Sequence, residues 1–182
     1  MEKFKGTSRT AYVGESLTIK IPNFNIKRAI STLIRASRNG IAGIREYITG
    51  KEGNPSSISF SLLRGIRENI RERVLSKTEL DFLVPTRLSI LGLINFQDTA
   101  TATDSKDDEI YEAFFRKLTQ LPNFKDEDEK MLRAGGHTLP QAKNYGIHDG
   151  KVKLLDYGEV GLDKLLAKYG YLLQQVLEES QK

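Results

Sequence analysis

The chain has 182 residues, 38% of them apolar and 29% charged, with a net charge of +4 and no cysteine. That length allows one domain, or a small domain with a subdomain, and the composition is that of a soluble globular protein rather than a disordered one. The missing cysteines exclude disulfide frameworks, thiolate nucleophiles and cysteine-ligated zinc, and two histidines, His137 and His148, argue against a histidine metal centre.

No apolar run approaches the ~18 to 20 residues that cross a bilayer, and Met1–Gly6 has no apolar stretch of a secretory signal. A cytoplasmic protein without a membrane partner is therefore expected. Charge is uneven: residues 1–99 hold 16 Lys and Arg against 9 Asp and Glu, whereas residues 100–182 hold 12 against 15. Such asymmetry suits a nucleic-acid or acidic-partner face in the first half.

In chain order, Thr10–Val13 and Leu17–Ile21 alternate as strands, with Leu17, Ile19 and Ile21 on one face and Thr18 and Lys20 on the other. Pro22 closes the second strand, and Asn23 or Asn25 caps a helix whose apolar stripe is Ile26, Ile30, Leu33 and Ile34, ending near Asn39-Gly40. A short helix over Ile41–Ile48 precedes the breaker cluster Gly50–Ser57, a loop. A stronger helix opens at Ser59 or Ser61 and runs to about Leu75, with Leu62, Leu63, Ile66, Ile70 and Val74 on one side and Arg64, Arg67, Arg71, Glu68 and Glu72 on the other. Leu80–Val84 reads as a strand, and Leu88–Phe96 as a strand pair or buried connection.

Asp98–Asp108 carries almost nothing to bury and reads as a mobile linker, which divides the chain into 1–97, 98–108 and 109–182. Glu109–Leu121 is an amphipathic helix, and Asp126–Ala134 a shorter one whose acidic run is its charged first turn. Asp149-Gly150, between Tyr145–His148 and Lys151–Leu155, is a hairpin signal. A last helix covers about Leu162–Glu179.

Two stretches carry candidate chemistry. Gly6-Thr7-Ser8 forms a small-residue turn followed by the strand lysine Lys20, a pattern that is by itself more often an ordinary surface hairpin with a solvated lysine but that also suits backbone N–H groups over phosphates beside a neutralising cation. Asn144 before the hairpin and Asp156 directly after it come close when the hairpin folds, and an amide with a carboxylate can hold a divalent cation on nucleotide phosphates, or each can simply cap a turn.

The order of these features, with Lys20 in Thr-Ile-Lys-Ile and Asp156-Tyr157-Gly158 after the hairpin, resembles the protein-kinase-like fold, and most of all the small divergent kinase-like proteins of bacteriophage genomes. The resemblance implies an α+β fold with a small N-terminal antiparallel sheet lobe and a reduced helical C-terminal lobe with one β-hairpin. It implies ATP and Mg as cofactors: Lys20 on the α and β phosphates, Glu72 as its helix partner with Glu68 and Glu46 as alternatives, and Asn144 and Asp156 as metal ligands. Gly6, Thr7 and Ser8 become the remnant of the glycine-rich loop, without the family's three glycines, and Leu83–Leu88 falls near the adenine hinge.

Two departures bear on activity. The family's proton-accepting aspartate falls at Leu139, which cannot take a proton, and His137 is a weak substitute. After Gly158 only 24 residues follow, too few for the family's activation segment and substrate platform. The resemblance thus implies a pseudokinase-like protein acting through protein contacts, in a host cytoplasm or a virion. An active atypical phosphotransferase and a structural subunit of a virion or complex are the alternatives. The basic residues Arg35, Arg38, Arg64, Arg67 and Arg71 form either an ordinary solvated face or a surface for nucleic-acid phosphates or acidic protein.

Overall fold

A computed structural model describes residues 1–6, 8–23, 62–103, 109–135, 139–159 and 161–181, with single positions between 31 and 41. Thr7, Arg35, Glu46, His137 and the expected loop at 50–57 lie outside the described residues. The architecture is mixed α+β, and the chain divides into two units: Met1–Ile70 with Arg87–Gln97, and Arg71–Thr86 with Asp98–Lys182. One division falls between Gln97 and Asp98, and 71–86 groups with the second half of the chain.

The first unit is built on a five-stranded antiparallel sheet of β1 (Glu2–Lys5), β2 (Arg9–Val13), β3 (Leu17–Pro22), β4 (Thr86–Ile90) and β5 (Ile94–Asp98), in the order β1-β2-β3-β5-β4. β1 was not foreseen, because Glu-Lys-Phe-Lys has one apolar residue and is exposed along its length; charged side chains are what an outer strand uses to discourage further pairing. Hydrogen bonds from Gly6 N–H to the Arg9 carbonyl and from Gly14 N–H to the Leu17 carbonyl close the first two turns, at 2.8 and 2.9 Å. The β4–β5 turn carries Leu91 at φ 51° and Gly92 at φ 72°.

Helix α1 (Leu62–Leu75) overturns the expected orientation. Its buried stripe is Gly65, Glu68, Asn69 and Glu72, while Ile70 and Val74 are 45% and 60% exposed. The reason is the face it covers, because Arg9, Thr18, Lys20, Asn95 and Gln97 are all buried. A polar sheet face recruits the polar stripe of the helix, since buried polar groups need partners. Gly65 permits the approach: a Cβ there would sit 2.7 Å from the Cβ of Pro22 and from the Ser8 carbonyl oxygen. Ile34, expected on an apolar stripe, is exposed.

The second unit holds helices α2 (Glu109–Thr119), α3 (Asp126–Gly135) and α4 (Leu162–Glu179) and a small sheet of β6 (Thr101–Ala102), β7 (Tyr145–His148) and β8 (Lys151–Leu154). Ile110, Phe114 and Leu118, spaced by four, bury one stripe of α2, and α4 buries Leu165, Leu166, Tyr169, Leu172, Leu173 and Val176. Asp128 accepts the Lys125 N–H at 3.0 Å, closing the start of α3 as a capping box does, and pairs with Lys168 of α4. The hairpin turn has the expected two left-handed residues, Asp149 at φ 53° and Gly150 at φ 72°.

Two expectations fail here. Leu80–Val84 is not a strand of a sheet. Its one bridge is the isolated one of Leu83 with Leu154, made by Leu154 N–H to the Phe82 carbonyl and Val84 N–H to the Leu154 carbonyl, and the apolar run is the signature of burial, not of extended pairing. Nor is the segment from Asp98 a linker throughout: Asp98 ends β5 and is buried, and Thr101–Ala102 pairs with β7. Residues 104–108 lie outside the described residues.

Candidate functional site

Lys20 sits on the third strand with its side chain on the buried polar face, so the expectation of a solvated lysine is overturned. Its carbonyl oxygen accepts from Asn69 Nδ2 of α1 at 3.3 Å, and that amide also donates to the Gly92 carbonyl at 2.8 Å. Of the glutamates proposed as its partner, Glu68 is heavily committed. It accepts from the Ser8 hydroxyl at 2.5 Å and pairs with Arg9 at 3.2 Å and Arg64 at 2.6 Å. Glu72, one turn further along α1, is fully buried.

The turn expected to lie over phosphates is tied to its own unit. Gly6 N–H donates within the turn, the Gly6 carbonyl accepts from Asn23 Nδ2 at 2.8 Å, and the Ser8 carbonyl accepts from Asn23 N–H at 2.7 Å. With the Ser8 hydroxyl on Glu68 and Arg9 Nη1 on Asn69 Oδ1 at 3.1 Å, the turn before β2, β2 itself and α1 are joined by a buried polar network. Nothing in the linear sequence marks this network, since its members lie sixty residues apart and each alone reads as a surface residue.

Asn144 and Asp156 flank the hairpin in the chain, Asn144 directly before β7 and Asp156 two residues after β8. Tyr145 pairs with Leu154 at the open end of the hairpin, and one step outward Leu155 N–H donates to the Asn144 carbonyl at 2.7 Å. Asn144 ends a single turn of 3-10 helix, Ala142–Asn144, and is buried; Asp156 is half-buried beside it in sequence to Leu155. Tyr157 is fully buried, its hydroxyl donating to the Val84 carbonyl at 2.6 Å and lying 3.1 Å from the Thr86 hydroxyl. That anchors the stretch directly after Asp156.

Leu139 is 1% exposed and belongs to the apolar core. Its carbonyl accepts from the Tyr145 hydroxyl at 2.9 Å, and burial pushes the Tyr145 phenol well above its ordinary pKa. Among the basic residues, Arg38 and Arg67 are exposed, and Arg64 and Arg71 are partly buried.

Comparison with family models, curated proteins and solved structures finds no match for this chain. Its site is therefore read from its own chemistry.

An amide oxygen such as that of Asn144 and a carboxylate such as that of Asp156 are hard oxygen donors of the kind Mg²⁺ takes together with phosphate oxygens and waters. In donor chemistry these two residue types fit the metal that the kinase resemblance implies. Among the described residues no group of three or more His, Asp or Glu is gathered that could hold a metal alone, and no helix is long and apolar enough to cross a membrane. Two further clusters escaped the sequence. His148 places Nδ1 3.1 Å from the Thr99 carbonyl and Nε2 3.3 and 3.6 Å from Asp149 and Asp98. The Asp128–Lys168 pair links α3 to α4, and the Lys168 ammonium holds the Asp128 carboxyl below its ordinary range.

Proposed function

We propose that this chain is a degenerate protein-kinase-like protein that binds Mg-nucleotide and acts through protein contacts instead of phosphoryl transfer. The observation that carries the reading is the buried Leu139 in an otherwise kinase-like order. Lys20 stands on the third strand, as the phosphate-holding lysine of kinases does, and the helix bearing Glu68 and Glu72 comes between β3 and β4. Then come the β4–β5 hairpin, two helices, and the turn–hairpin pair that bonds Asn144 to Leu155, with Asp156 next in the chain.

In this reading Lys20 neutralises phosphate, Asn144 and Asp156 hold the metal, and Glu72 is assigned as the partner of Lys20, because Glu68 is committed to Ser8, Arg9 and Arg64. Magnesium, when bound, neutralises and orients the phosphate oxygens. At the place of the base an aliphatic side chain packs in the apolar core, so it neither accepts a proton nor orients an attacking hydroxyl. The test is incubation with ATP labelled on the γ-phosphate. The expected result is no incorporation, into the chain or into a generic protein acceptor, that depends on Asp156. Incorporation abolished by Asp156→Ala overturns the proposal that transfer is lost.

A further inference from the structure

The two faces of the five-stranded sheet are inverted relative to the usual arrangement, in which an antiparallel sheet packs its apolar face and leaves the polar one in water. The face under α1 is polar: Arg9, Lys20, Asn95 and Gln97 are buried there, and Asn95 Nδ2 donates to the Asn69 carbonyl at 2.8 Å. By strand alternation the opposite face presents Leu17, Ile19 and Ile21 of β3, Tyr12 opposite Ile19 on β2, and Ile94 and Phe96 of β5. All six stay partly exposed, Ile21 at 37%, and none joins the apolar core, whose described members all belong to the second unit. A contiguous apolar sheet face of this kind marks an interaction surface.

The charges on that face decide its occupant. On β1, Lys3 stands opposite Tyr12 with Nζ 5.7 Å from the ring centroid, and Lys5 stands opposite Thr10, so both exposed lysines rim the apolar patch. Residues 24–61 of the chain itself hold six Lys and Arg against two Glu, and a second copy apposing the same face would bring a rim as cationic as the first. Neither complements the lysines. We propose that this face docks an amphipathic segment of a partner protein, apolar on one side and flanked by carboxylates. The surface lies on the side of the sheet opposite the Lys20 side chain, so it holds whether or not a nucleotide binds.

The probe is a fluorescein-labelled synthetic peptide with leucines at helical spacing and glutamates elsewhere, compared with a twin carrying lysines for the glutamates, using the full chain and fluorescence anisotropy. The glutamate peptide is expected to bind saturably, to be lost with Ile21→Glu, and to weaken about tenfold with the double substitution Lys3→Glu and Lys5→Glu. The lysine twin is expected to bind only the double variant. Because Lys3 and Lys5 are exposed, that variant keeps its fold even where Ile21→Glu does not, which far-UV circular dichroism checks. Equal binding of both peptides, or binding of neither, overturns the proposal. So does sedimentation of the wild type as a dimer that Ile21→Glu dissolves, or attachment to anionic vesicles through Lys3 and Lys5 without peptide binding.

Discussion

Placing aspartate at position 139, the substitution that would nominally restore a catalytic base, is expected to destabilise the second unit severely and increasingly with pH. Leu139 is 1% exposed within the apolar core. Truncating such a leucine to alanine costs about 3 kcal/mol through lost burial and the cavity left behind. Aspartate incurs that loss and adds a carboxyl group taken out of water, whose folded-state pKa must rise above the unfolded value of about 3.9. The sign follows from linkage. Below about pH 4 both states are protonated and the extra penalty is absent; above it the unfolded state ionises first, and the penalty grows by about 1.4 kcal/mol per pH unit until the folded-state pKa is reached. A rise of three units gives about 4 kcal/mol at neutral pH, for a total of about 7 kcal/mol against a typical stability of about 5 to 15. Urea titrations of the wild type, Leu139→Ala and Leu139→Asp, followed by circular dichroism at pH 4.5 and 7.5, read this directly. The reasoning is refuted if Leu139→Asp matches Leu139→Ala at pH 7.5, or if the gap between them does not widen with pH.

Two further outcomes follow from the packing. Gly65→Ala should destabilise the chain although alanine is the better helix former by about 1 kcal/mol, because its Cβ would lie 2.7 Å from Pro22 and from the Ser8 carbonyl; a rise in melting temperature would show that α1 does not rest on the sheet there. Removing the ammonium with Lys168→Ala should raise the titration midpoint of Asp128, followed by carboxyl-carbon NMR, because Lys168 is the main cause of its lowered pKa. With a depressed folded-state value, the wild-type tie is present above the unfolded carboxylate pKa and lost as pH falls through the folded one. An unmoved midpoint would mean that the pair does not persist in solution.

The parts of the fold legible in the sequence are those whose signal is local. The stripe Ile110, Phe114 and Leu118, the acidic first turn at Asp126–Glu129 and the Asp149-Gly150 turn each specify an element without reference to the rest of the chain. Helix α1 was legible as a helix but not in its orientation. Amphipathicity points an apolar stripe inward only when the surface it meets is apolar, and here that surface is Lys20, Arg9 and Asn95. Leu80–Val84 shows the converse, an apolar run buried without pairing as a strand. At the candidate site, the hairpin that separates Asn144 from Leu155 was readable, because the Asp149-Gly150 turn fixes it. The burial of Lys20 and the capture of Glu68 by Ser8 and Arg9 were not readable, since both depend on pairings across the sheet and on a helix some fifty to sixty residues away.

The most direct measurement is a melting curve with and without Mg-ATP for the wild type, Lys20→Ala and Asp156→Ala. A ligand at about 100 times its dissociation constant stabilises the folded state by about 2.7 kcal/mol, which for a chain of this size is about 5 to 10 °C. The account predicts a magnesium-dependent rise of that order in the wild type, absent from both variants. No rise in the wild type, or a rise retained in both variants, would contradict it.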